Sequence, residues 1–160
     1  MRVLGLDVAG TTGYSLLEIK ENKINLLEYG TVKIRPKDKY HTRLIDLHFQ
    51  IKDLIKKFKP DIVAIEELHS SRNVKTTVLL GMYLGVVYLA VPKNIQIEPV
   101  NANKARAAVV KINRKGKVKK EDVFEWAVKK YDLNKLVFDK DNDITDSILL
   151  SYFIAKEYIS

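Results

Sequence analysis

Cysteine is absent from the 160 residues, which excludes a disulfide scaffold, a thiolate zinc site and a cysteine nucleophile. Proline is scarce, at four residues, and no linker, low-complexity tract or internal repeat divides the chain. The apolar stretches are interrupted, so no membrane span is expected, and Met1 leads directly into a strand-like run rather than a signal peptide. These absences predict a soluble cytoplasmic protein with no membrane partner. What is present is a 46% hydrophobic composition over 160 residues, enough for one domain spanning residues 1–160 with a substantial core and little room for a second. Lys and Arg outnumber Asp and Glu by 28 to 20, a formal net charge of +8. That balance suits a polyanionic partner, although the Lys/Glu/Ile richness also fits genome bias or growth at high temperature.

Hydrophobic patterning supplies an order of elements. Arg2 to Val8 is an apolar run of the kind buried on both faces of a sheet, punctuated by Gly10 and Gly13. Tyr14 to Ile19 and Ile24 to Ile34 predict two further strands joined at "KENK", so the first three form a meander. "TRLIDLHFQIKDLIKKF" repeats Leu44, Leu47, Ile51, Leu54, Ile55 and Phe58 at helical spacing and stops before Pro60. "DIVAIEE" predicts a central fourth strand, Asn73 to Val91 a second helix, and "IQIEPV" a fifth strand. Helices follow over Lys120 to Tyr131 and Asp143 to Ile159, with "DKDND" expected as the loop between them. Three strands in meander, then helix, strand, helix, strand and helices, is an α/β order with a mixed sheet.

Four carboxylates fall at informative places. Asp7 lies near the end of the first strand, Glu66 at the end of the fourth, and Asp143 and Asp146 are expected to open the last helix on a shared face. Acids at strand ends reach the edge where ligands of open α/β sheets bind. Clustered carboxylates raise each other's pKa when bare and become favourable around hard divalent cations, so Mg²⁺ or Mn²⁺ is implied. Each acid also has a plainer explanation. Asp7 can satisfy turn amides ahead of Gly10, Glu66 or Glu67 can form a surface salt bridge, and Asp143 can cap the helix with Asp146 in its first turn. The stretch "GLDVAGTTGY" is itself compatible with two chemistries: an ATP phosphate loop of the sugar-kinase and actin-like type, or a metal-holding aspartate of the ribonuclease H class. Chain length and the lack of a second phosphate loop count against the first, and no nucleotide cofactor is expected.

Taken together, these stretches resemble RuvC-type Holliday junction resolvases, members of the ribonuclease H-like superfamily. "GLDVAGTTGYSLLE" is similar to the family's opening strand, turn and returning strand, and "DIVAIEEL" to its second acidic strand. "RNVKTTVLLGMYLG" is similar to the helix that follows, and "DITDSILLSYF" to its closing Asp-x-x-Asp helix. The resemblance implies a five-stranded mixed sheet, an antiparallel meander plus two parallel strands, flanked by helices. It further implies that Asp7, Glu66, Asp143 and Asp146 ligate two metal ions for hydrolytic, symmetric nicking of four-way DNA. It implies a homodimer built on the second helix, where Gly81, Met82 and Gly85 would lie at the interface; packing within the chain is the other use of the two glycines.

Basic residues gather where the family contacts phosphates: Lys104, Arg106, Lys111, Arg114, Lys115, Lys117, Lys119 and Lys120, of which Arg106 and Lys120 align best. His69 and Arg72 are further expected DNA contacts. Such residues give affinity and salt dependence without reading sequence, and a solvated lysine face accounts equally for most of them. The chain departs from the family at "ELHSSRN", where Leu68 and His69 stand in place of a junction-intruding aromatic. A broader branched-DNA nuclease, a YqgF-like ribonuclease and a non-catalytic nucleic-acid-binding module are the alternatives.

Overall fold

The computed structural model describes residues 1–35, 37–68, 73–112 and 115–159. Strand β1 (Arg2–Asp7) pairs antiparallel with β2 (Thr11–Lys20), which pairs antiparallel with β3 (Lys23–Lys33). Glu21 and Asn22 both adopt positive φ, 51° and 57°, the left-handed pair that lets a two-residue hairpin follow the strands' own twist. On the other side of β1, β4 (Ile62–Glu66) and then β5 (Gln96–Val100) add in parallel. The resulting order β3-β2-β1-β4-β5 is the expected meander plus two parallel strands, with β1 and β4 central.

Period-two alternation decides which side chains meet which helices. Leu4, Leu6, Val63 and Ile65 pack against Leu47, Ile51 and Ile55 of α1 (Tyr40–Phe58) and Tyr83 and Val87 of α2 (Val74–Ala90). Val3, Ile62 and Ala64 face the opposite way. They pack with Ala105 of α3 (Ala102–Val109), Val123 of α4 (Lys120–Tyr131) and Leu149, Leu150 and Ile154 of α5 (Phe138–Lys156). Each fully buried aliphatic side chain in these two layers contributes about 1.5–3 kcal/mol. The functional consequence is directional: Asp7 and Glu66 continue the Val3 and Ile62 series, so both acids lie on the α5 side of the sheet.

Three sequence expectations are corrected. Strand β2 begins at Thr11 rather than Tyr14. Helix α3 was not anticipated; it is eight residues long and capped by Asn101, whose side chain accepts from Lys104 N. The last helix begins at Phe138 rather than Asp143, so the "DKDND" stretch is helical. A polar run reads as a loop, yet here it forms the exposed start of a helix whose apolar half follows. Its start is secured by Asp141, which accepts from Val137 N at 2.8 Å. Asp143 is therefore not an N-cap and Asp146 not a first-turn residue; both sit deeper in the helix. The plainer reading of Asp7 fails similarly, because the Ala9 amide in the turn donates to Thr12 Oγ1, which in turn donates to Ala9 O.

Candidate active site

Asp7 is 8% exposed at the end of β1 and Asp146 4% exposed on α5. The parallel β1/β4 ladder ends with Leu6 beside Ile65, so Asp7 and Glu66 leave adjacent strand ends one step further on. A cavity of about 230 Å³ opens there, and Asp7, Glu66, Asp143 and Lys120 all line it. Asp146 lies behind this opening, with its Oδ2 2.8 Å from Lys120 Nζ and its Oδ1 3.8 Å from Arg106 Nη2. The Arg106 contact is too long for a hydrogen bond and the Lys120 contact is an ion pair off the hydrogen-bond axis, so neither buried oxygen of Asp146 receives a well-aligned hydrogen bond, nor does Arg106 Nε find an acceptor. A larger cavity, about 690 Å³, between the end of α3 and α4 contains none of the four acids.

The electrostatics follow from this crowding. Burial foremost, and then the charges of Asp146, Glu66 and Asp143, push the Asp7 carboxyl well above the usual carboxylate range, against the opposing pull of Lys120. Burial also raises Asp143; Lys120 opposes that shift and Asp146 adds to it. At Lys120 burial works against the charge, but the contact with Asp146 and the fields of Asp146, Asp7 and Asp143 outweigh it, and its pKa rises. Lys120 thus stays protonated among acids that resist ionising together.

The site accommodates a hard divalent cation by two criteria. Its donors are all carboxylate oxygens, and those of Asp146 are buried without directed hydrogen bonds. Among the described residues, no three His, Cys, Asp or Glu side chains stand as a finished metal cage, and Asp146 is held by Lys120 and Arg106 instead. The sign of the pH effect is set by Asp7 and Asp143. Both bind protons more tightly folded than unfolded, so their contribution to metal-free stability is fullest below the unfolded carboxyl pKa of about 4 and is lost as pH rises through the folded values. Melting without divalent ions is expected to give a Tm that declines as the pH is raised above about 4. Millimolar Mg²⁺ at neutral pH is expected to restore several degrees. A Tm indifferent to both would contradict the crowded-carboxylate arrangement.

Of the expected DNA contacts, Arg106 and Lys120 are brought to the acids, Arg106 by the unanticipated α3. The signal for that helix was the Asn101-Ala102 start, with a side chain able to cap two or three residues on. Lys104, Lys111, Lys115, Lys117 and Lys119 are exposed and do not line the cavity. His69, Arg72 and Arg114 lie outside the described residues. Gly81, Met82 and Gly85 are on α2, where Met82 is 44% exposed. A side-chain carbon at Gly85 would meet nothing within 4 Å, and one at Gly81 only Leu68 at 3.7 Å, so the glycines do not serve close packing against another described backbone of the same chain.

The sequence model of the family Crossover junction endodeoxyribonuclease RuvC matches residues 3–151. The protein of that name from Petrotoga mobilis is 35% identical over 124 residues, covering 75% of this chain and 76% of the relative. That of Caldanaerobacter subterraneus subsp. tengcongensis is 32% identical over 153 residues, covering 94% and 90%. In three dimensions the chain superposes on Thermus thermophilus RuvC in complex with a Holliday junction substrate. The TM-score is 0.81 at 21% identity, with 97% of this chain and 93% of the other covered, which establishes the ribonuclease H-like fold. No helix among the described residues is long and apolar enough to cross a membrane. With a family match that runs from β1 well into α5, this chain belongs to the RuvC family of crossover junction endodeoxyribonucleases.

Proposed function

We propose that this chain resolves four-way DNA junctions by paired hydrolytic nicks. Family membership makes it a metal-dependent nuclease, and the observation that carries the finer reading is the convergence of Asp7, Glu66 and Asp143 on one cavity with Asp146 directly behind it. In this reading all four are ligands for two Mg²⁺ ions, with Mn²⁺ able to substitute. Bound there, the ions would supply the positive charge that stabilises attacking and leaving oxygens in phosphodiester hydrolysis.

The chain's own residues do the rest. The sheet and α5 hold the carboxylates in place before substrate arrives, so little reorganisation accompanies reaction. Lys120, half exposed beside the cavity and firmly protonated, is placed to meet a DNA phosphate when Asp146 turns to a metal. Arg106 backs Asp146 from α3. The exposed lysines of residues 104–119 extend the positive surface along the backbone of a DNA arm.

A four-way junction is two-fold symmetric, and symmetric nicks call for a second site related by the same axis. Helix α2 supports a homodimer. From Val78 onward it is apolar around its circumference, and its outer stripe leaves Val74, Val78, Met82 and Leu89 at 74%, 56%, 44% and 80% exposure. Leu68, 44% exposed just beyond β4, is apolar but not aromatic, and for that reason three-way and flap substrates belong in the test. The deciding experiment incubates the protein and Mg²⁺ with a synthetic four-way junction, other branched DNA and a linear duplex of matched sequence. Paired nicks in the junction alone are expected. Equal cutting of all branched forms would favour the broader nuclease, and cutting of none would refute the proposal.

A further inference from the structure

Helix α5 lies unusually close to the sheet at the place where it carries its two acids. Residues 143, 147 and 151 are four apart and share one helix face. That face rests on β1 and β2 at three points. A side-chain carbon added at Gly13 would overlap the carbonyl of Asp143 and come within 2.8 Å of Ile144 N. One added at Gly5 would overlap the carbonyl of Ser147 and approach Ser151 Cβ to 2.9 Å. At the third point Ser15 Oγ and Ser151 Oγ are 2.8 Å apart. Ser151 Oγ also lies within donating distance of Ser147 O, at 3.1 Å, and of Ile148 O, at 3.2 Å, and either serine hydroxyl can donate to the other.

The pairing of the strands gives these contacts their meaning. Gly13 is the cross-strand partner of Asp7, and Gly5 that of Ser15. The residue that admits the Asp143 backbone therefore stands directly beside the acid of β1. We infer that Gly13 is a positioning residue for the metal ligands: lacking a side chain, it lets the Asp143 carbonyl seat on β2 and thereby sets the height and rotation at which α5 presents Asp143 and Asp146 to Asp7. This rests on the ligand roles given above. A methyl group at Gly13 has no flexible neighbour to displace, because what it meets is helix backbone. Relief requires α5 to lift or turn, and ligand oxygens around Mg²⁺ tolerate little of either, since the ion demands near-octahedral geometry at about 2.0–2.1 Å.

The test compares Gly13→Ala with Gly30→Ala, whose added carbon would come nearest the side chain of Tyr14 rather than any backbone. Mn²⁺ affinity is read by electron paramagnetic resonance, junction binding in Ca²⁺, and cutting in Mg²⁺. Gly13→Ala is expected to bind Mn²⁺ at least about tenfold more weakly, the scale of a disturbed support for metal ligands. Junction affinity should stay within about twofold, with the cutting defect in kcat rather than KM. Gly30→Ala is expected to lose Tm and keep its Mn²⁺ affinity. Asp143→Glu, harmful by itself, should restore part of the Mn²⁺ affinity in the Gly13→Ala background by reaching across the added gap. Unchanged Mn²⁺ affinity in folded Gly13→Ala, or a loss no larger than in Gly30→Ala, overturns the inference. If Gly13→Ala does not fold, Ser151→Ala decides. It adds no atoms and loosens the same seat, so Mn²⁺ affinity should fall about threefold, and no change again overturns the inference. Wild-type protein that cuts no junction would refute the proposed function instead, which keeps the two failures separate.

Discussion

Asp146→Asn, Asp7→Asn, Glu66→Gln and Asp143→Asn are each expected to lower junction cutting by about a thousandfold or more while leaving junction binding in Ca²⁺ within a few-fold of wild type. A thousandfold is about 4 kcal/mol of barrier, the scale expected when a carboxylate that fixes a metal ion is made neutral. The substitutions are nearly isosteric, so packing around 4%-exposed Asp146 survives. The electrostatic balance then predicts a second consequence. Asp7 sits in the fields of three other acids and is itself almost fully buried, so Asp7→Asn removes a carboxylate that is unfavourable in the metal-free protein. Its Tm without Mg²⁺ is expected to rise above wild type, while the gain on adding Mg²⁺ shrinks. Asp146→Asn differs, because it abandons Lys120 at 2.8 Å and Arg106 at 3.8 Å and should not stabilise. Full cutting by any one of the four variants would remove that residue from the ligand set.

Met82→Glu is expected to turn a dimer into a monomer by sedimentation at micromolar concentration, weakening association by at least about a hundredfold, or roughly 2.8 kcal/mol. A charge on the outer stripe of α2 would be buried against the same stripe of a second copy, without a partner and with its mirror image nearby. Gly85, open on this stripe, would let the two helices approach closely. Tyr158→Glu, a comparably exposed site at 45% but two residues beyond the end of α5, is the control and should leave association unchanged. Junction cutting by the monomer is expected to shift from paired nicks to isolated ones. Wild-type protein that sediments as a monomer both alone and on junction DNA would defeat the dimer, and with it the account of paired cutting.

Much of the fold was legible because the patterns involved are local. The continuous apolar runs of β1 and β4 announced central strands, the 3.6-residue repeat of Leu47, Ile51 and Ile55 announced α1, and the alternating meander announced β2 and β3 with their turn at Glu21-Asn22. Boundaries set by longer-range packing were less legible. The start of α5 is fixed by Asp141 reaching back to Val137 N and by the docking of the helix on the sheet, neither of which a polar "DKDND" run displays. Helix α3, eight residues with Asn101 as its cap, is too short for periodicity to distinguish from a basic loop.

By itself the sequence determined that the chain forms an α/β sheet, that acids stand at the ends of two strands and on one helix, and that basic residues cluster before α4. These follow from hydrophobic period and residue chemistry, both of which act over a few neighbouring positions. Only the tertiary structure decided that Asp7 and Glu66 share the α5 side of the sheet, since that depends on β1 and β4 being parallel neighbours in a particular register. It alone decided that, among the described residues, Lys120 and Arg106 reach Asp146. It likewise decided that Gly13 admits the backbone of α5. A contact between residues 13 and 143 leaves no trace in local pattern, because it is set by how two layers pack and not by what either segment prefers.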